Sequence, residues 1–357
     1  MENSGVAFSR HWRYNAIKQW TEKEGQIVKK YRVGIVGCGG IARVHAQCLM
    51  QMENTELVCF ADIRQERAAS FAEDYGGHAY NSLEDMLSEE TLDVLHICTP
   101  HALHVPMVLA AAEKGIHVFT EKPAAINAEQ MGQLMAAGEK VRIGVCFQNR
   151  YNDNFGYVQR ALQNGEGGKI LGGRAFVTWH RDEPYYTESG WRGTMALEGG
   201  GVLINQAIHT LDLLTMLLGD PVGVEATSVN HHLKGIIETE DTLEAWIQYK
   251  NGVTASFYAT NAYCTNAPVM IEIACEKRIY RMEGDELYIR EEKGDFQKIS
   301  FASKKAMGKS YWGTGHLSCI RNFYSSLDGS EEFEVRLQEV ERTMQLMFAI
   351  YQSARKS

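Results

Sequence analysis

The sequence has no apolar run that approaches the length of a membrane span, so no spanning helix is expected. Its first thirty residues, through Arg10-His11-Trp12-Arg13 to Lys29-Lys30, lack the apolar core of a signal peptide, and export is not expected. Positive charge is also short, with 36 Lys and Arg against 45 Asp and Glu for a net −9. That excludes a basic face for nucleic acid and a polybasic membrane anchor. None of the eight cysteines stands in a C-x-x-C pair, and Cys38, Cys59 and Cys98 fall inside or beside apolar strands. They read as small reduced core residues of a cytoplasmic protein. Repeats and low-complexity segments are absent as well.

What remains is a chain of 357 residues, 45% hydrophobic, enough for a sizeable core divided between two domains. The balance suits a soluble enzyme of small metabolites. From Tyr31 to about Phe147, apolar strands (Arg32 to Val36, Leu57 to Ala61, Val94 to Cys98, His117 to Thr120, Arg142 to Cys146) alternate with helical stretches such as Leu83 to Leu87 and Pro106 to Lys114. This pattern predicts a doubly wound parallel sheet covered on both faces. After Asn149 a helix around Phe155 to Asn164 and a strand Gly173 to Arg181 lead to runs with β alternation. Those runs are punctuated by Lys250-Asn251-Gly252, Glu283-Gly284-Asp285 and Lys293-Gly294-Asp295, and they predict a large, mostly antiparallel sheet. The fold class is therefore α/β followed by α+β. The expected division is an arm over 1–30, a dinucleotide domain over 31–149, a substrate and oligomerisation domain over 150–335, and a terminal helix over 336–357 packed through Leu337, Val340, Met344, Met347, Phe348 and Tyr351. In the arm, Trp12, Ile17, Trp20 and Ile27 suggest a short amphipathic helix.

The first strand runs into Gly37-Cys38-Gly39-Gly40-Ile41-Ala42. The first glycine allows the tight turn, the second lets backbone approach a pyrophosphate, and Ala42 lets helix pack on strand. The pyrophosphate would rest on the helix N-terminus at Gly40, Ile41 and Ala42. The second strand ends in Asp62, about where a ribose-binding carboxylate is expected. An acid there favours NAD, while Arg64 and Arg67 leave NADP open; the plainer reading of Asp62 is a cap for the next helix.

Later come Thr99-Pro100-His101-Ala102-Leu103-His104, Glu121-Lys122-Pro123, and Gly199-Gly200-Gly201 followed by His209 and Asp212. With the glycine turn, in this order, the chain resembles the glucose-fructose oxidoreductase and inositol dehydrogenase (Gfo/Idh/MocA) family over residues 31 to 350. The resemblance implies a Rossmann domain, a second domain whose open sheet makes a homodimer or homotetramer, and an NAD(P)-dependent dehydrogenase of secondary alcohols in cyclic polyols or sugars. By resemblance Thr99, Pro100, His101, His104 and Glu121 line the cofactor and Lys122 belongs to the catalytic group. Two other activities occur among relatives: an NAD-retaining, redox-neutral glycosidase and a non-catalytic NAD-binding sensor.

Lys122 has a reading of its own. A lysine at a strand end, beside a nucleotide pocket, is placed to donate a hydrogen bond to a substrate oxygen. Desolvation and the positive nicotinamide favour its neutral form. If a helix starts after the glycines, Asn205, His209 and Asp212 share one face. His209 then fits a general acid/base. Asn205, which stands where many family members carry Asp, orients the substrate oxygen but cannot offset an imidazolium, leaving Asp212 as the nearest counter-charge. The aromatic stretch with His180, Asp182, Tyr186, Trp191 and Arg192 fits a wall for a sugar, and Arg150 is a further substrate candidate. His96, His101 and His104 lie close in sequence, but strand alternation and Pro100 do not converge their rings, so no metal site is expected.

Overall fold

The structure, a computed structural model, describes residues 30–302 and 314–355. The arm with Trp12, Ile17, Trp20 and Ile27 lies outside the described residues apart from Lys30.

Six strands form the first sheet: β1 (Tyr31–Val36), β2 (Thr55–Ala61), β3 (His78–Tyr80), β4 (Val94–Ile97), β5 (His117–Thr120) and β6 (Ile143–Val145), in the order β3-β2-β1-β4-β5-β6. Every pairing is parallel. Parallel strands need helical crossovers that bury both faces, and Val33, Ile35, Val94, Leu95, Val118 and Phe119 are accordingly all inaccessible. The order reverses between β1 and β4, and the crevice at the carboxyl ends there is where such sheets take ligands. The edge strand β3 has no counterpart among the predicted strands, because three residues beginning with His carry no alternation.

The second sheet has eight strands: β7 (Ile170–Thr178), β8 (Pro221–Val229), β9 (Thr242–Tyr249), β10 (Thr254–Thr260), β11 (Met270–Cys275), β12 (Arg278–Glu283), β13 (Glu286–Glu291) and β14 (Gln297–Ile299). They run in the order β14-β13-β12-β11-β7-β10-β9-β8, antiparallel except where β7 meets β10. The predicted turns at Gly252, Gly284 and Gly294 fall between β9 and β10, β12 and β13, and β13 and β14, each glycine with positive φ. Ala175, Val177, Phe257, Ile247 and Ile273 are buried on one face, which packs the helices Ile208–Leu218 and Leu337–Ala354. By alternation Phe176, Tyr258 and Trp246 stand on the other face, where Trp246 is 41% exposed.

Two late helices return to the first sheet. His316–Leu327 packs on the glycine-turn helix Gly40–Leu49, and Leu337–Ala354 packs on Ala128–Gly138 as well as on β8. Val340, Met344 and Met347 are fully buried at helical spacing. No described helix is long and apolar enough to cross a membrane.

Candidate active site

Gly37 leaves β1 at φ +86°, and a Cβ there would lie 2.6 Å from the Cys98 carbonyl, so only glycine fits. A Cβ on Gly39 would meet no protein atom; it would point into the space a pyrophosphate needs. No side chain caps the helix Gly40–Leu49, which leaves the first-turn N–H groups of Gly40, Ile41 and Ala42 for an anion. Asp62 reaches across from β2: Oδ2 accepts from Cys38 N at 2.8 Å and Oδ1 from Arg64 N at 2.8 Å. One carboxylate thus braces the glycine turn and starts the Gln65–Tyr75 helix, for which the exposed Arg64 is the N-cap residue.

The loops after β4 and β5 are clipped together. Thr99 and Pro100 are half-buried. His104 is fully buried, Nδ1 2.8 Å from the Pro123 carbonyl and Nε2 3.0 Å from that of Thr99. It is a strut behind the cleft, not a lining residue. His101 is also buried, bonded through Nδ1 to the Glu198 carbonyl (2.9 Å) with its ring 4.8 Å from that of Trp191. It joins the loop after β4 to the residues that precede the glycine triplet. Glu121 turns inward too: Oε1 is 3.0 Å from His45 Nε2, and Oε2 accepts from Lys122 N. Although burial opposes its charge, His45 and Lys122 hold its carboxyl well below the usual range. The chain of contacts continues from His45 Nδ1 to His96 Nδ1 (2.9 Å) and from His96 Nε2 to Tyr324 Oη (3.0 Å). His96 therefore points away from His101 and His104. A different trio, His45, Glu121 and Cys146, brings its donor atoms within 4.8 Å of one another. His45 and Glu121 satisfy each other there, and the Cys146 thiol points at Gln148 Oε1.

On the far wall the glycine triplet does not open into a regular helix. Residues Leu203–Ala207 make a wide π turn, and the α-helix begins only at Ile208. Glu240 caps this turn, accepting from Gly201 N (2.8 Å), Leu203 N (3.1 Å) and the Tyr351 hydroxyl (2.9 Å). A Cβ on Gly200 or Gly201 would overlap the Tyr351 hydroxyl or the Glu240 carbonyl. The π turn brings Asn205 over Lys122, whose Nζ donates to the Asn205 carbonyl (3.0 Å) and to Oδ1 (3.4 Å). Asn205 Nδ2 in turn donates to Glu198 Oε1. Burial lowers the Lys122 pKa, with the charges of Glu121 and Glu198 opposing.

His209 stands beside them, its Nδ1 buried without a partner among the described residues and its ring edge-on to Phe147 at 5.7 Å. Burial, with the Lys122 charge adding to it, pushes the imidazole down to about 3. Asp212 is no counter-charge for it: both carboxylate oxygens are bound by Arg150, at 2.8 and 2.7 Å, and Oδ1 also accepts from Thr343. Arg150, 6% exposed and further tied to Glu339 at 2.8 Å, is spent on that structural pair and is not a substrate ligand.

Of the aromatic stretch, Trp191 and Arg192 reach the site. The Arg192 guanidinium lies 4.5 Å from the ring of Tyr185 and 5.0 Å from that of Trp191. Tyr186 does not reach it: it is buried with Leu233 and Ile237, its hydroxyl accepting from Asn261. Asp182 caps the short helix Glu183–Thr187 and is exposed. His180 is exposed at the end of β7, bonded to the Tyr263 carbonyl.

Residues 31–147 match the profile of the oxidoreductase family with an NAD-binding Rossmann fold, and residues 155–281 match the Gfo/Idh/MocA C-terminal domain. The WlbA dehydrogenase from Bordetella pertussis, solved with NADH and UDP-GlcNAcA, is 31% identical with a TM-score of 0.81 over 92% of this chain and 97% of that one. The chain belongs to the Gfo/Idh/MocA oxidoreductase family. Its fold is also that of levoglucosan dehydrogenase, at 22% identity and a TM-score of 0.82 over 92% of this chain and 98% of the other. D-glucoside 3-dehydrogenase of Escherichia coli K12 is 32% identical over 207 residues, covering 56% of this chain and 57% of that protein. The alignment with the Bacillus subtilis oxidoreductase YrbE likewise spans 56% of that relative.

Within this Gfo/Idh/MocA chain, the residues that sequence reasoning misses are those that hold others. His45 carries a signal, a polar residue in the buried stripe of the glycine-turn helix. Glu198, directly before the glycine triplet, and Glu240 carry none, because their roles depend on a non-local return of the chain.

Proposed function

We propose that the protein catalyses the reversible oxidation of a secondary alcohol in a cyclic sugar or polyol derivative, with NAD as hydride acceptor. The observation that carries this is the bonding of Lys122 Nζ, just past β5, to Asn205, with the buried His209 near enough to feel the Lys122 charge. The uncapped helix start and the open space at Gly39 fit a dinucleotide, and the bound cofactor would take the hydride from the alcohol carbon. Lys122 donates a hydrogen bond to the alcohol oxygen as it becomes a carbonyl. Asn205 fixes the direction of the ammonium group. His209, kept neutral by its surroundings, accepts the hydroxyl proton on its imidazole and returns it in reduction.

The finer substrate class is argued from Arg192. Among the described residues its buried Nε has no hydrogen-bond partner and no acid is in ion-pair contact with it, Glu198 acting only through its charge. An aromatic-flanked guanidinium beside the catalytic lysine favours a sugar carrying a carboxylate or phosphate, in line with the sugar nucleotide bound by the Bordetella relative. The half-apolar open face with Phe176, Tyr258 and Trp246 supports a homodimer or homotetramer, and the eight free cysteines fit the cytoplasm.

The test is absorbance of reduced nicotinamide while protein and NAD are offered inositols, neutral sugars, sugar phosphates, uronates and nucleotide sugars. A rise with one class establishes the dehydrogenase. No rise with any, where NAD binding is shown by titration, overturns the reading in favour of a redox-neutral glycosidase or a sensor.

A further inference from the structure

Among the described residues no carboxylate touches the Lys122 ammonium directly; its acceptors are both on Asn205. The Asn205 amide converts that contact into a relay. Its oxygen accepts from the lysine while its nitrogen donates to Glu198, which is 1% exposed. The second oxygen of Glu198 accepts from Gly193 N. Both oxygens therefore face donors, the arrangement an ionised carboxylate requires, since it can only accept. An amide has two distinguishable ends, and an acceptor-only neighbour decides which end turns away from it.

We propose that Glu198 is a positioning residue for the reaction: through Asn205 it presents the amide oxygen to Lys122 and supplies, one residue removed, the negative charge that the amide lacks. The inference rests on the dehydrogenase reading above. It also specifies how the site responds to acid. Burial, with the Glu240 charge adding to it, outweighs the Gly193 and Asn205 hydrogen bonds and the Arg192 charge, and the Glu198 carboxyl is pushed up to about 7. Lys122 faces it from the loop after β5, and Tyr186 and Tyr351, both neutral, close the remaining sides. Protonated Glu198 gains a donor, the Asn205 amide loses its compulsory orientation, and Lys122 loses its aligned acceptor.

The test is Glu198→Gln, assayed with NAD and the best sugar of the panel. The Gly193 N–H keeps the new amide oxygen, so the new NH2 faces Asn205 and inverts the relay. Expected are a kcat about tenfold to a hundredfold lower, little change in KM or in NAD binding, and disappearance of the acid limb near pH 7. Adding Asn205→Asp restores a charge that accepts from both sides, and most of kcat returns, which a purely structural role for Glu198 would not allow. Wild-type kcat and pH profile in Glu198→Gln, or no recovery in the double variant, overturns the proposal. If Glu198→Gln does not fold, Asn205→Asp alone decides. Two carboxylates in contact must move the acid limb to higher pH, and an unmoved limb overturns it. A wild-type protein that turns over no sugar would instead sink the dehydrogenase reading itself.

Discussion

Arg150 grips Asp212 with two parallel hydrogen bonds, Nε to Oδ2 at 2.8 Å and Nη2 to Oδ1 at 2.7 Å, in a site where the two side chains are 4% and 1% exposed. The same guanidinium holds Glu339 at the start of the Leu337–Ala354 helix. Arg150→Leu leaves the buried Asp212 without its cation and Glu339 with Arg336 alone. Loss of one partner of a buried pair costs about 3–5 kcal/mol, to be read as a lower denaturation midpoint in urea. A variant as stable as the parent would show that Arg150 is free for substrate after all.

Lys122→Ala should abolish turnover, by a factor of at least about 100, while NAD titrations stay near wild type, because the glycine turn lies on a different strand end. Surviving activity would remove Lys122 from the mechanism.

The two glycines of the nucleotide turn should fail in opposite ways. Gly39→Val projects into open space and leaves stability intact, but weakens NAD by more than about tenfold, roughly 1.4 kcal/mol. Gly37→Ala demands positive φ and a Cβ against the Cys98 carbonyl, and should cost about 1–3 kcal/mol of stability. Thermal melts with and without NAD separate the two.

His209 is depressed to about 3 and His316 to about 4, both by burial. A folded pKa below the unfolded value means that the folded chain binds fewer protons, so stability is full above about pH 6.5 and is lost as pH falls towards the folded values. His209→Asn removes its share of that loss. Urea midpoints measured at pH 7 and pH 5 should differ less in the variant than in the parent; an equal difference contradicts the assignment.

Arg192→Met should raise KM for an anionic sugar about tenfold to a hundredfold, the worth of a charge-assisted hydrogen bond of roughly 1.5–3 kcal/mol, and should leave neutral sugars alone. Equal effects on both would assign Arg192 to packing between Tyr185 and Trp191.

The parts of this molecule legible in the sequence are those written in short-range pattern. The stretch from β1 to Ala42 is readable because one glycine turn needs a specific backbone, and Lys122 because it comes after a buried strand in a recognisable order of motifs. The errors arise where geometry departs from regularity or where a side chain's partner is distant. Regular spacing puts Asn205, His209 and Asp212 on one helical face, yet the π turn at Leu203–Ala207 shifts the register and Arg150, 62 residues earlier, claims Asp212. His104 sits in the expected loop but turns both nitrogens to carbonyls behind it, and His101 turns one to the distant Glu198 carbonyl. Glu198 is invisible in the sequence because its value lies in touching Asn205 across a bend whose shape depends on Tyr351.

That dependence on Tyr351 ties the reaction centre to a distant part of the chain. The hydroxyl that meets Ile204 N and Glu240 belongs to the last described helix. The two late helices, one of which supports the bend over Lys122, also back the glycine-turn helix and the helix Ala128–Gly138, so a chain that ended after the second sheet would lack part of the nucleotide pocket as well as part of the reaction centre.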